Sequence, residues 1–171
     1  LTILASLSLN NNFLTGTVPT ELVELAALTS LRLSENSLTG TLITELGQLT
    51  KLTQLYVNKN NLNGTVPTEL GQLTNLLGLY LQENVLTGTL PTELGKLISL
   101  QAFEAEENEL TGSVPTAMSR LSSLVRFSFH DNDLTGSVDE IFCADAREWY
   151  SLQSDCLVSN GEMEVECTCC T

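Results

Sequence analysis

Residues 28–49 read LTSLRLSENSLTGTLITELGQL, and this stretch decides the fold of the chain. Leucines at short intervals lead to Asn36, and Leu38 and Gly40 follow it in steps of two residues. The asparagine recurs every 24 residues, at Asn12, Asn36, Asn60, Asn84, Asn108 and Asn132. A leucine and a glycine keep the same offsets in every copy. Six copies in one register, with no insertion, indicate a repeat protein in which each unit stacks on the next.

The leucine-rich half of each copy predicts a β-strand. Leu31, Arg32 and Leu33 alternate apolar and polar side chains, so the leucines should face the core and Arg32 the solvent. One strand per repeat, stacked about 4.8 Å from the next, forms a parallel sheet. Six repeats then form a rod roughly 30 Å long.

The recurring asparagine predicts a polar ladder inside this rod. Its amide both donates and accepts hydrogen bonds, so it can satisfy backbone groups of neighbouring turns. Prolines then restrict φ where a short helical segment begins, at Pro19, Pro67, Pro91 and Pro115. Glutamates occupy the first turn of such segments, where the helix dipole favours negative charge, at Glu21, Glu45, Glu69 and Glu93.

Each unit reads roughly L-x-x-L-x-L-x-x-N-x-L-T-G-x-V-P-x-E-L-G-x-L, which resembles the plant-type extracellular leucine-rich repeat over residues 1 to about 142. That subclass includes ectodomains of receptor-like kinases and inhibitors of wall-degrading polygalacturonases. Algal proteins with similar repeats and a cysteine-rich tail are also similar. The resemblance implies an α/β fold, a curved right-handed solenoid with a parallel sheet on the concave face and short helical or 3-10 turns on the convex face. It also implies an extracellular or cell-surface location.

The cysteines predict a separate C-terminal cap. All of them lie near the end of the chain, at Cys143, Cys156, Cys167, Cys169 and Cys170. We therefore divide the chain into a solenoid of residues 1–142 and a disulfide-bonded cap of residues 143–171. The odd count leaves the pairing open and suggests that a partner cysteine lies past Thr171. Because the sequence begins at Leu1, already inside a repeat, we expect that its start is missing as well. A zinc site that includes His130 is the rival interpretation, although the cysteine spacing is tighter than usual.

The charge limits the possible partners. A formal charge of −14 repels nucleic acid and anionic lipid headgroups, and no apolar run is long enough to enter a membrane. The expected partner is a protein or peptide, and a basic one would suit the charge. A neutral glycan is also compatible. The sequon Asn63-Gly64-Thr65 is a weak sign of secretion.

The sequence lacks the residue combinations that enzymes use. His130 is the single histidine, and in a strand the neighbouring Asp131 would point to the opposite face unless the strand has ended. No nucleophile elbow, P-loop or H-E-x-x-H motif is present. We therefore expect no catalytic residue, no cofactor and no metal site.

The outward-facing side chains of the predicted strands do not pack in the core, so they form the candidate binding surface. Stacking would place Tyr56 beside Tyr80, near basic residues and next to an acidic zone. Aromatic and arginine side chains are common anchors of binding interfaces. The predicted ligand-binding residues are Arg32, Tyr56, Lys59, Tyr80, Glu83, Glu104, Glu106 and His130. The alternative is that these are ordinary solvated residues.

Two other functions are compatible with the sequence. Regular threonines, such as Thr15 and Thr39 in one column and Thr17 and Thr41 in another, could order water on a flat face, as in some ice-binding proteins. Asn63 interrupts one of these columns. A structural protein of the cell surface or matrix is the second alternative, and it would self-associate without a discrete ligand.

Overall fold

The computed structural model describes residues 3–138, residue 141, residues 151–153 and residues 165–166. In this part of the chain two parallel sheets run side by side along a solenoid, and each repeat contributes one strand to each sheet. A 3-10 helix follows the second strand in each of the first five repeats. The structure confirms the predicted solenoid of parallel strands and short helical turns.

The first sheet is built from the strand that the sequence predicts. In order, it contains β1 (Ser6–Ser8), β3 (Ser30–Arg32), β5 (Gln54–Tyr56), β7 (Gly78–Tyr80), β9 (Ala102–Glu104), β11 (Arg126–Ser128) and β13 (Ser151–Gln153). The register follows the repeat, because Leu31 pairs with Leu55 and Leu55 with Leu79. Residues at equivalent positions of the repeat therefore become neighbours across the first sheet.

The second sheet was not predicted. It contains β2 (Thr15–Thr17), β4 (Ser37–Thr41), β6 (Asn61–Thr65), β8 (Val85–Gly88), β10 (Glu109–Ser113), β12 (Asp133–Ser137) and β14 (Val165–Glu166). In β4 the side chain of Leu38 is buried while those of Ser37 and Thr39 are exposed, which is the alternation of a half-buried strand. Gly40 has φ 76°, a conformation that glycine adopts without strain.

Leucines from consecutive repeats fill one continuous core. In the C-terminal half, phenylalanine rings occupy core positions that are mostly leucine in the earlier repeats. The ring centroids of Phe103 and Phe127 lie 5.4 Å apart, and those of Phe127 and Phe129 lie 4.7 Å apart. Ala105, also fully buried, provides a small side chain at the core position next to these large ones. Large and small residues thus compensate each other within a close-packed interior.

From Asn36 onward, each asparagine of the ladder connects its own turn to the preceding one. The Nδ2 of Asn84 donates to the carbonyl oxygens of Val57, Leu81 and Gln82 at 3.1, 3.0 and 3.3 Å, and its Oδ1 accepts from the amide of Leu62 at 3.0 Å. Equivalent bonds are made by Asn36, Asn60, Asn108 and Asn132. These bonds satisfy backbone groups that the core would otherwise leave without partners.

The helical turns start at the predicted positions. They are η1 (Thr20–Glu24), η2 (Thr44–Gln48), η3 (Thr68–Gln72), η4 (Thr92–Lys96) and η5 (Thr116–Arg120). Proline precedes four of them, and Ile43, which replaces it before η2, adopts a similar φ of −71°. Consecutive turns pack closely, because a side-chain carbon built at Gly71 of η3 would lie 2.5 Å from the carbonyl oxygen of Glu93.

The proposed cap lies mostly outside the described residues, and so do all the candidate disulfide cysteines, Cys143, Cys156, Cys167, Cys169 and Cys170. Two short strands are described beyond residue 142. The strand β13 pairs with β11, and β14 pairs with β12, so both sheets extend past the sixth repeat. The boundary between a solenoid of residues 1–142 and a cap of residues 143–171 stays a prediction.

Candidate binding site

The outward side chains of the first sheet form columns that run across the strands. The pairing brings Arg32 beside Tyr56, Tyr56 beside Tyr80, Tyr80 beside Glu104 and Glu104 beside Ser128. Four of the predicted binding residues are therefore consecutive neighbours in one column. We refer to the solvent-facing surface of β3 to β11 and the residues directly after these strands as the recognition face.

The centre of the recognition face is an aromatic stack. The rings of Tyr56 and Tyr80 are almost parallel, at an interplanar angle of 3°, with their centroids 4.3 Å apart. The guanidinium carbon of Arg32 lies 4.9 Å from the centroid of Tyr56, within cation–π distance. Gly78 makes room for this stack, because a side-chain carbon there would lie 2.7 Å from Cε2 of Tyr80. Burial, and then the neighbouring Tyr56, raise the pKa of Tyr80 to about 12, so its hydroxyl stays protonated at neutral pH.

Glu104 follows the stack and is surrounded by polar groups. Its Oε1 lies 3.3 Å from a guanidinium nitrogen of Arg126, and its Oε2 accepts a 2.9 Å hydrogen bond from Gln82. Burial and the charge of Glu106 nevertheless raise the pKa of this carboxyl, against the opposing effect of Arg126.

The residue that precedes each ladder asparagine adopts a left-handed backbone conformation. These residues have φ between 54° and 56° and are Asn11, Glu35, Lys59, Glu83, Glu107 and Asp131. Within this column the Nζ of Lys59 lies 3.4 Å from Glu83. Because β11 ends at Ser128, His130 and Asp131 do not alternate as they would in a strand, and the His130 Nδ1 lies 2.8 Å from the Asp131 Oδ2.

Several buried oxygens of the recognition face have no hydrogen-bond partner. They include the Oδ1 of Asn58, the Oε1 of Gln82, the Oε2 of Glu106 and the Oγ of Ser128. The first three residues occupy equivalent positions in consecutive repeats, so unpaired acceptors recur across this surface. Buried polar atoms normally find a partner, which makes such a group of atoms informative.

The residue list predicted from the sequence omitted three members of this surface. Arg126, Ser128 and Gln82 were not among the predicted binding residues, although Arg126 and Gln82 both bond to Glu104. Arg126 belongs to the first outward position of its strand, in the same column as Gly78. Within that column Arg126 is the one charged residue, and this difference was the signal in the sequence that could have identified it.

The second sheet presents an ordered threonine array. A side-chain carbon built at Gly40 would lie 2.8 Å from the Cγ2 of Thr17, so the Thr17 methyl already fills the space above Gly40. Thr41 stands in the same relation to Gly64. In the neighbouring column the Thr39 hydroxyl donates to the carbonyl of Gly16 at 3.3 Å. These contacts restrict the rotamers of the threonines.

Among the described residues, no group of three or more histidine, cysteine, aspartate or glutamate side chains could hold a metal ion. Nor does the described part of the chain contain a helix with the length and apolarity of a membrane span.

Comparison with known proteins places the repeats in a family. The leucine-rich-repeat family model matches residues 4–25, 27–49 and 51–73. None of the curated proteins matches the chain. Among solved structures, a plant ice-binding protein is 37% identical with a TM-score of 0.78, and the match covers 81% of this chain and 45% of that protein.

Two plant receptors are also similar to this chain. One is the leucine-rich-repeat ectodomain of the membrane receptor kinase GASSHO1/SCHENGEN3 from Arabidopsis thaliana, in complex with CASPARIAN STRIP INTEGRITY FACTOR 2. It is 38% identical with a TM-score of 0.75, and the match covers 78% of this chain and 16% of that one. The plant peptide hormone receptor RGFR1, in complex with RGF2, is 34% identical with a TM-score of 0.70, over 80% of this chain and 26% of that one. The chain thus spans less than half of each of these relatives. The repeat match and these structures together show that the chain belongs to the leucine-rich-repeat proteins, in the plant-type group that includes receptor-kinase ectodomains.

Proposed function

We propose that this chain is a non-catalytic extracellular recognition module that binds a protein or peptide on the recognition face. The observation that carries the proposal is the stack of Arg32, Tyr56 and Tyr80, three adjacent anchors held in one geometry before any ligand arrives. Preorganised side chains bind more tightly because less conformational entropy is lost on association. Tyrosine and arginine also contribute large contact areas at binding hot spots.

The similar receptors support this role. One was crystallised with CASPARIAN STRIP INTEGRITY FACTOR 2 and another with RGF2, and the latter is described as a peptide hormone receptor. A chain of the same repeat class could recognise a ligand in the same way, either as a secreted protein or as the ectodomain of a larger receptor-like protein. The remaining predicted residues, Lys59, Glu83, Glu104, Glu106 and His130, would then surround the aromatic centre.

Charge favours a basic ligand. The chain carries 21 acidic against 7 basic residues, so its overall field attracts cations and accelerates their association. A glycan would have to rely on the tyrosine rings and neutral hydrogen bonds alone. We therefore rank a basic peptide or protein above a glycan as the partner.

A double variant tests the site. Tyr56→Ala with Tyr80→Ala should weaken binding of peptides selected on the chain from a synthetic random-peptide library by about 100-fold or more, the loss of two hot-spot side chains. Thr39→Ala with Thr111→Ala on the second sheet is the matched control and should leave affinity unchanged. Equal affinity of the tyrosine variant and the native protein would refute the recognition face as the binding site.

The second candidate function is ice binding through the second sheet. Two observations favour it, namely the plant ice-binding protein among the similar structures and the rotamer-restricted threonines. Their methyl groups are fixed above glycines, and the columns repeat at about the strand spacing of 4.8 Å. Such an array can hold water in a regular pattern only if its side chains do not move.

Thermal hysteresis distinguishes the two functions. If the second sheet binds ice, Thr41→Lys with Thr65→Lys should abolish hysteresis, because long charged side chains disrupt the flat array. Tyr56→Ala with Tyr80→Ala should leave it intact. Absence of hysteresis and of ice-crystal shaping in the native protein would remove this candidate.

A further inference from the structure

We infer that the C-terminal half of the recognition face contains a subsite for an arginine guanidinium of the ligand, formed by Glu106 and Ser128 beside the Glu104–Arg126 pair. The inference rests on the proposed function and names the chemical group that the face selects. Its basis is an excess of hydrogen-bond acceptors that the protein itself does not satisfy.

The acceptors are specific atoms. The Oγ of Ser128 has no hydrogen-bond partner, and this residue retains only 6% of its exposure. The Oε2 of Glu106 is likewise buried and unpaired. Both lie next to Glu104, since Ser128 pairs with it across the sheet and Glu106 follows it by two residues.

The unpaired oxygens continue beside Glu104. Arg126 and Gln82 both donate to Glu104, and the carbonyl oxygen of the Gln82 side chain has no hydrogen-bond partner. The Oδ1 of Asn58 extends the unpaired row by one more repeat. A ligand rich in donors and poor in acceptors would complement this row, and an anion or a carboxylate would not.

The electrostatics point the same way. Burial is the main cause of the raised pKa of Glu104, and like-charge repulsion from Glu106 adds to it although Arg126 is close. Glu83, Glu107 and Asp131 add further acidic side chains on the same half of the face. A cation from the ligand would relieve this repulsion.

A guanidinium fits better than other cations. Among the described residues no cluster suited to a metal ion exists, so a bare divalent cation is not favoured. A guanidinium offers five N–H donors in one plane, whereas an ammonium offers three around a point. Unpaired oxygens spread over Gln82, Glu106 and Ser128 need several donors at once. Because these oxygens are enclosed by neighbouring side chains, binding requires the flexible Gln82 and Glu106 to rotate toward the ligand.

The test uses four pools of synthetic nonapeptides. Each pool has arginine, lysine, citrulline or glutamate at one fixed position and random residues elsewhere. Citrulline keeps the shape of arginine without its charge. At physiological salt, the native protein should bind the arginine pool about 10-fold more tightly than the citrulline pool, as expected for one charge-assisted interaction.

Variants locate the effect. Glu106→Gln and Ser128→Ala should each reduce the preference for arginine, and thermal melting should show that both variants fold. Glu35→Gln is the matched control, since it removes one acidic charge from the N-terminal half of the same face. It should preserve the preference for arginine.

Four outcomes would overturn the inference. Equal binding of the arginine and citrulline pools, or an equal effect of Glu35→Gln and Glu106→Gln, would refute the subsite while leaving the proposed function in place. Lysine binding as tightly as arginine would refute the guanidinium assignment. Binding of none of the four pools would refute the proposed peptide recognition together with the subsite.

Discussion

At the scale of single residues, the ladder asparagines show how one amide can connect two turns. Asn84 makes four hydrogen bonds to backbone groups and retains 7% of its exposure, whereas Asn12 at the first repeat is exposed and donates only to Leu9 and Asn10. The same residue type therefore has different energetic importance at different positions. Its contribution depends on whether a preceding turn is present.

This difference predicts the effect of removing the amide. Asn84→Ala should lower the free energy of unfolding by about 2–4 kcal/mol, because the amide of Leu62 loses its partner inside the core and the carbonyl of Val57 keeps only its hydrogen bond from Asn60. Asn12→Ala should cost less than about 1 kcal/mol. Urea denaturation measures both values, and similar losses for the two variants would contradict this account of the ladder.

Glu104 predicts a pH dependence with a definite sign. Its pKa is raised from the ordinary 4.5 in the folded chain, so the unfolded chain releases this proton first as the pH increases. Stability from this group is complete below that value and is lost as the pH rises through the folded pKa. As the pH rises from about 4 to about 7, the melting temperature of Glu104→Gln should therefore increase relative to that of the native protein.

Glu35→Gln, which removes one acidic charge at an exposed position, is the control for that experiment. A difference that stays constant with pH, or one that shrinks toward neutral pH, would show that Arg126 and Gln82 outweigh the burial of Glu104.

At the scale of elements, the sequence predicts the first sheet well and misses the second. The first sheet follows from the alternation around Leu31, and the helical turns follow from proline and the first-turn glutamates. The second sheet was missed because six of its strands contain a glycine, which normally weakens a strand. In the structure, Gly40 is required there because its φ is positive and the methyl of Thr17 lies above it.

The fit between threonine and glycine predicts a rescue. Gly64→Ala should destabilise the protein by about 2–4 kcal/mol, since it combines a positive φ with a clash 2.8 Å from the Cγ2 of Thr41. Removing that methyl with Thr41→Ser should recover part of the loss. Gly16→Ala has the φ penalty without a clash and should cost less. A double-mutant cycle by chemical denaturation with no coupling between positions 41 and 64 would contradict the contact.

The helical turns give a stronger steric prediction. Gly71→Ala should lower the free energy of unfolding by about 2–4 kcal/mol, because the new methyl would meet the backbone of Glu93 and would force η3 and η4 apart. The exposed neighbour Gln72→Ala is the control and should be nearly neutral. Thermal denaturation that fails to separate the two variants would show that the turns can shift at little cost.

At the scale of the whole molecule, the period of 24 residues accounts for most of what the sequence could predict. The period places Tyr80 between Tyr56 and Glu104 before any coordinate is known. It does not determine which way each side chain leans. The parallel rings depend on the space above Gly78, and the Arg126–Glu104 pair joins residues from two different columns. Contacts of this kind depend on rotamers, which a repeat pattern does not encode.

The net charge predicts a response to salt. With a formal charge of −14 and few ion pairs among the described residues, repulsion should outweigh attraction at low ionic strength. Raising sodium chloride from about 10 mM to about 200 mM should increase the melting temperature by about 2–4 °C, the shift that about 1 kcal/mol produces at this chain length. A decrease would indicate that local ion pairs dominate.

The left-handed residue before each ladder asparagine limits the chemistry of the recognition face. A β-branched side chain is strained at φ near 55°, so valine, isoleucine and threonine are disfavoured at these six corners, and proline cannot adopt the conformation. The side chains that remain are unbranched at Cβ, and the chain uses asparagine, glutamate, lysine and aspartate. Ligand preference can therefore diverge at this column by exchanging one charged or amide group for another, while the scaffold beneath stays the same.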